Sequence, residues 1–283
     1  MEAPSGLGLR AGGVEGLPAA LEGAGLLETL DSGVVTKLHV PRKTGMKDAS
    51  TGILHGPELA RFARLQADTV GYLLDARRTP VVLGGDCSIL LGNALALGRR
   101  GRFGLLFLDG HADFYQPSAE PTGEAASMDL ALVTGYGPRL LEGPDPLIRV
   151  DDVVVFGFRD GQESARNGSQ PLPPQMVAFD LAAVRSRGVE QIVEDAIAHL
   201  TRADGPEQFW IHLDADVLDD EVMPAVDYRS PGGLTTTELI TVLRVATATR
   251  RVAGLEVTIY NPTLDPGGAA GRALAAVLAA GLR

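Results

Sequence analysis

The chain reads as an α/β protein, a parallel sheet with helices packed on both faces, and three observations predict it. Short apolar runs alternate along the sequence with longer segments of helical period. The short runs are almost continuously apolar, as strands covered on both faces require, rather than alternating apolar and polar. Polar residues gather where those runs stop, which is where open parallel sheets hold their ligands.

In chain order, strands are predicted over Pro80–Gly85, Phe103–Asp109, Asp152–Phe158, Met176–Asp180, Phe209–Asp214 and Val252–Ile259. The segment Pro57–Arg78 is predicted helical. It opens on a proline, whose fixed φ suits a first turn, and its apolar residues recur at spacings of three and four. A second helix is expected over Ser88–Arg100 with Ser88 placed as its cap. Further helices are expected over Glu190–Ala203, Thr235–Thr249 and Ala269–Leu282. The Gly- and Pro-rich stretches Gln116–Gly123, Gly143–Pro146 and Gly161–Pro174 read as loops at strand ends. No repeat or linker interrupts the pattern, so one domain over residues 1–283 is expected.

Composition narrows the function. A hydrophobic fraction of 45% is enough for a large core. A net charge of -11 argues against nucleic acid or an anionic membrane surface as partner. No stretch approaches the ~18 consecutive apolar residues of a membrane span. The start, MEAPSGLGLR, lacks the basic and apolar regions of a signal peptide. A single cysteine excludes an intrachain disulfide, which fits a protein of the reducing cytoplasm.

Three strand ends carry ligand chemistry. LFLDGHADFY places Asp109, His111 and Asp113 at alternate positions, so an extended chain projects them to one side. WIHLDADVLDD repeats the arrangement with Asp214 and Asp216. The third is the turn GGDC, which ends in Cys87. Carboxylates brought this close repel one another unless cations lie between them. Mixed oxygen and nitrogen donors suit Mn²⁺, with Zn²⁺ or Fe²⁺ as alternatives. Asp219, Asp220 and Glu221 read as solvated turn residues, and His212, inside its strand, as a core residue. His39, His55 and His199 have weaker contexts, the last on a helix face. The residues alone leave Cys87 open as buried filler, nucleophile with His111 as its base, or metal ligand.

With these motifs in order, the chain resembles the ureohydrolase family of arginases and agmatinases. The resemblance runs through the segment Gly12–Leu30, GGDCS, LDGHADF, FGFRD, LDADVLD, GGLT and NPTLD. It implies a three-layer α/β/α domain with a parallel sheet of about eight strands, commonly assembled as a homo-oligomeric trimer or hexamer. It also implies two Mn²⁺ ions sharing a bridging hydroxide that attacks a guanidinium carbon. Carried over, Asp109 and Asp214 are bridging carboxylates, His111 and Asp216 ligands of one ion, and Asp113 a ligand of the other. His111 and Asp113 then also support the metal-bound hydroxide. The sixth ligand of the family, a histidine, falls at Cys87. A thiolate there would weaken that site for Mn²⁺ and favour Zn²⁺.

The sequence departs from the pattern at four further places. The family's guanidinium-pairing glutamate falls at Ile259, and the nearest acid, Glu256, lies three residues earlier on the other face of the strand. The loop YQPSAEPTGEAASMD lacks the family's proton-shuttling histidine. The position after FRDG is Gln162 rather than an acid. The first family strand is expected to be missing, because almost nothing apolar precedes the first loop. Two other readings therefore stand beside a guanidino or amidino hydrolase. One is a mononuclear zinc amide hydrolase using Asp109, His111 and Asp216, with Tyr260 polarising the carbonyl. The other is a non-catalytic metal-binding relative.

Overall fold

The computed structural model of the chain describes residues 1–30 and 35–282. Its strands are β1 (Glu2–Ala3), β2 (Val81–Gly84), β3 (Gly104–Leu108), β4 (Val153–Phe156), β5 (Val177–Phe179), β6 (Phe209–Asp214) and β7 (Val252–Thr258). The helices are α1 (Leu17–Gly23), α2 (Leu26–Thr29), α3 (Gly56–Asp75), α4 (Leu90–Gly98), α5 (Asp129–Val133), α6 (Gly161–Arg166), α7 (Leu181–Arg187), α8 (Val189–Leu200), α9 (Thr236–Ala248) and α10 (Ala269–Gly281). All strand pairs are parallel, and among the described residues the sheet has seven strands in the order β1-β2-β7-β6-β3-β4-β5.

Three layers result. One face of the sheet packs Leu105, Phe107, Val155 and Trp210 against α3, α4 and α5. The other packs Leu106, Leu108, Phe156, Leu213 and Val257 against α1, α8, α9 and α10. The central strands β3, β4 and β6 are buried along their whole length, which is why β3 and β4 read as unbroken apolar runs and β6 as one interrupted by His212 before its terminal Asp214.

Several expectations are corrected. The first strand is present but only two residues long, joined to β2 through backbone pairing and a 2.8 Å bond from the Met1 ammonium to the Val81 carbonyl. Within Gly161–Pro174 the chain forms α6 before running on as loop. The cap after β2 is Asp86 rather than Ser88. Its carboxylate accepts from the Ser88 N–H at 2.8 Å and from the Gly8 N–H at 2.9 Å, fixing the turn that carries Cys87.

The topology places the site. After β3 the chain moves outward to β4, whereas after β6 it moves the opposite way to β7. Neighbouring strands whose connections diverge leave a crevice at their C-terminal ends, where ligands of open α/β sheets bind. Asp109 follows β3 directly and Asp214 ends β6.

Candidate metal centre

The two aspartate motifs fold by the same local device. Asp109 Oδ1 accepts from the His111 N–H at 2.6 Å, and Asp214 Oδ1 accepts from the Asp216 N–H at 2.7 Å. Each carboxylate thus closes the turn behind its own strand and holds the residue two positions on beside it. Asp216 in turn accepts from the Gly110 N–H at 2.9 Å, locking the turns together. A Cβ at Gly110 would collide with Asp216 and Arg159, so only glycine fits.

Two groups of metal-type donors emerge, sharing Asp109. In the outer group, Asp109, His111 and Asp216 bring their donor atoms within 4.8 Å of one another. His111 Nδ1 lies 2.9 Å from Asp216 Oδ2. In the inner group, Cys87, Asp109, His212 and Asp214 meet the same distance limit, and all four are buried. The Cys87 thiol donates to Asp214 Oδ2 at 2.8 Å. Asp113 lies outside both groups but lines the same cleft. Glu256 is fully buried behind His212 and does not line the cleft.

The electrostatics suit cations. Burial, with Asp216 nearby, raises Asp109 to about 6. Burial, and then neighbouring carboxylates, push Asp113 and Asp214 well above the usual range. Burial also raises the Cys87 thiol, helped by Asp214 and Asp109. Burial alone would lower His111, but Asp216 lifts it to about 10; the same contact outweighs burial at Asp216 and draws it down to about 2. Asp109 Oδ2 and His212 Nε2 are buried and have no hydrogen-bond partner among the described residues. Unsatisfied buried atoms of this kind are rare, and divalent cations would satisfy them and ionise the acids together. The donor set fits bound metal.

Above the groups opens a cleft of about 690 Å³. Its walls carry Glu120, Glu124, Asp160, Glu163 and Asp227, while Arg229, the one Lys or Arg among the described residues of its lining, is tied to Asp220 at 2.6 and 2.8 Å. Most of these acids are engaged: Glu124 accepts from Arg10, Thr122 and Tyr228, and Asp160 accepts from Ala112 and Ser164. Asp227 differs. Asn261 Nδ2 holds its Oδ1 at 2.9 Å, while its Oδ2 is buried without a partner among the described residues. Ile259, on the same wall, has φ +71°, a left-handed conformation that costs a β-branched residue about 1–3 kcal/mol. Backbone bonds from the Ile259 N–H to the Gly85 carbonyl (2.7 Å) and from the Asn261 N–H to the Ala225 carbonyl (2.8 Å) hold it there.

Two adjoining acid-rich donor groups at the switch point of a doubly covered parallel sheet define a metal-binding α/β protein. The chain belongs to the arginase family, whose model matches residues 11–282. It is similar to an arginase of Staphylococcus aureus (strain MRSA252), 27% identical over 272 residues covering 93% of this chain and 89% of that protein. It is also similar to an arginase of Brevibacillus brevis, 30% identical over 204 residues covering 70% and 67% of the two chains. The crystal structure of arginase from Bacillus cereus superposes with a TM-score of 0.84 at 24% identity, covering 99% of this chain and 96% of that one. The chain is accordingly a metal-dependent hydrolase of carbon–nitrogen bonds in linear amidines. The mononuclear amide-hydrolase reading gives way to this membership, and the Tyr260 hydroxyl assigned to it donates instead to Asp265 at 3.0 Å.

Sequence reasoning passed over His212 and Asp227. His212 shares the period-two face of Asp214, a signal masked by its apolar neighbours. Asp227 has no local signal, because its setting depends on Asn261, thirty-four residues away.

Proposed function

We propose that the chain hydrolyses a C–N bond of a cationic guanidino or amidino compound with two divalent ions at the sheet switch point. The observation that carries this reading is an acid-walled cleft opening directly onto two donor groups. Asp109, His111 and Asp216 would hold the outer ion, and Cys87, Asp109 and Asp214 the inner one. When bound, the ions would lower the pKa of water enough to make hydroxide available near neutral pH.

The remaining work falls to this chain's own groups. Asp113, facing the cleft, holds or accepts a proton beside the reacting carbon. Asp227 pairs with the substrate cation through its unused Oδ2, in place of the glutamate that Ile259 has displaced. Ile259 then offers an apolar contact, so the substrate sits differently from arginine in an arginase. The family likeness further supports Mn²⁺ as a working ion and a trimeric or hexameric assembly, and the single cysteine supports a cytoplasmic setting.

The test is product analysis. The metal-loaded protein is incubated with a panel of guanidino and amidino compounds, and urea, ammonia and amine products are measured. Release from at least one cationic member, lost on Asp113→Asn, is expected. Silence across the panel would overturn the reading and favour a non-catalytic metal-binding protein.

A further inference from the structure

We propose that His212 is a metal ligand, and that with Cys87 it converts the inner position into a thiolate–imidazole–carboxylate site suited to Zn²⁺. The proposal rests on the metal-dependent reading above and goes beyond it, because the ligand set implied by the family likeness does not include this position.

Four observations carry it. The donor atoms of Cys87, Asp109, His212 and Asp214 lie within 4.8 Å of one another and all four residues are buried. His212 Nε2 and Asp109 Oδ2 stand 3.7 Å apart, too far for a good hydrogen bond, and neither has another partner among the described residues. The opposite ring nitrogen, Nδ1, sits 2.8 Å from Glu256 Oε1. Asn93 donates to Glu256, and Gln66 Nε2 donates to Asn93 Oδ1 at 2.8 Å and to the Ile89 carbonyl at 2.9 Å. Finally, the imidazole lies stacked on Phe107, with ring centroids 4.4 Å apart and planes 9° apart.

A carboxylate behind an imidazole is the usual support of a metal-binding histidine. It holds the proton on the far nitrogen and aims the lone pair of the near one. A histidine buried only for packing would not account for Nε2 directed, unsatisfied, at an equally unsatisfied carboxylate oxygen. Thiolate, imidazole and carboxylate in one buried set match the four-coordinate preference of Zn²⁺ better than the oxygen-rich preference of Mn²⁺. On binding, the Cys87 sulfur gives up the proton now shared with Asp214, and that proton leaves to solvent.

The test is titration of metal-free protein with Co²⁺ and Zn²⁺, read by absorption and by bound metal per chain. The wild type should show a thiolate-to-cobalt charge-transfer band that Cys87→Ser abolishes. Glu256→Gln should weaken the inner ion about ten- to a hundredfold, and His212→Gln more than that, while the outer ion remains. Circular dichroism checks folding; should His212→Gln fail to fold, Cys87→Ser and Glu256→Gln carry the test. A wild type without a thiolate band, or a folded His212→Gln with unchanged inner affinity and spectrum, would overturn the proposal. Hydrolysis without the band defeats this inference alone, whereas the band without hydrolysis defeats only the proposed reaction.

Discussion

Replacing Asp227 by asparagine removes one negative charge from the cleft and little else. The asparagine carbonyl oxygen still accepts the Asn261 Nδ2–H bond that Asp227 Oδ1 receives at 2.9 Å, so the loop keeps its anchor. The unused Oδ2 becomes an amide nitrogen that cannot pair with a cation. A hydrogen bond to a charged group contributes about 1.5–3 kcal/mol. Because Asp227 is only half-buried, the lower part of that range applies. At about 1.4 kcal/mol per tenfold, Asp227→Asn should lower kcat/KM about ten- to fortyfold for cationic substrates. The assay is steady-state release of urea or ammonia, run beside the same measurement on an uncharged amide analogue. An unchanged kcat/KM for the cation, or an equal loss for the neutral analogue, would refute the assignment.

Four further outcomes are expected. Chelation should lower the melting temperature, since an ion present at a hundredfold its Kd adds about 2.7 kcal/mol of stability; differential scanning fluorimetry with and without chelator reads this. Asn93→Ala removes one of the hydrogen bonds made by the buried carboxylate of Glu256 and one made by the amide of Gln66, and should cost about 1–3 kcal/mol in urea denaturation. Thr235→Ala breaks the capping box of α9 and should cost about 1 kcal/mol near neutral pH. Burial would raise its partner Glu238, but bonds from Thr235 and Arg185 outweigh burial and hold it below its ordinary value. The stabilisation by Glu238 is therefore present above the ordinary glutamate pKa and lost as pH falls through the lowered one. The gap between wild type and Glu238→Gln should close in acid unfolding experiments.

The sheet was legible because β3, β4 and β6 are covered on both sides and so are almost wholly apolar. The same logic explains what was not. The strand β1 has two residues, too few for any pattern, and α6 buries none of its residues, so neither writes a hydrophobic period into the sequence. Asp109, His111, Asp214 and Asp216 were legible from spacing, because alternate positions after a strand share a side. His212 obeys that rule too, but a single polar residue in an apolar strand reads as packing until Glu256 is found opposite it on β7. Asp227 depends on a partner distant in sequence. Long-range pairing, not local composition, separates the candidate site residues that were seen from those that were not.

The central claim is a two-ion site, and metal content tests it most directly. Elemental analysis of protein purified without chelator and loaded to saturation should give two divalent ions per chain. Asp109→Asn, which alters the residue common to both donor groups, should lower the occupancy of both positions. A single ion at saturation, or two ions retained unchanged in Asp109→Asn, would contradict the account.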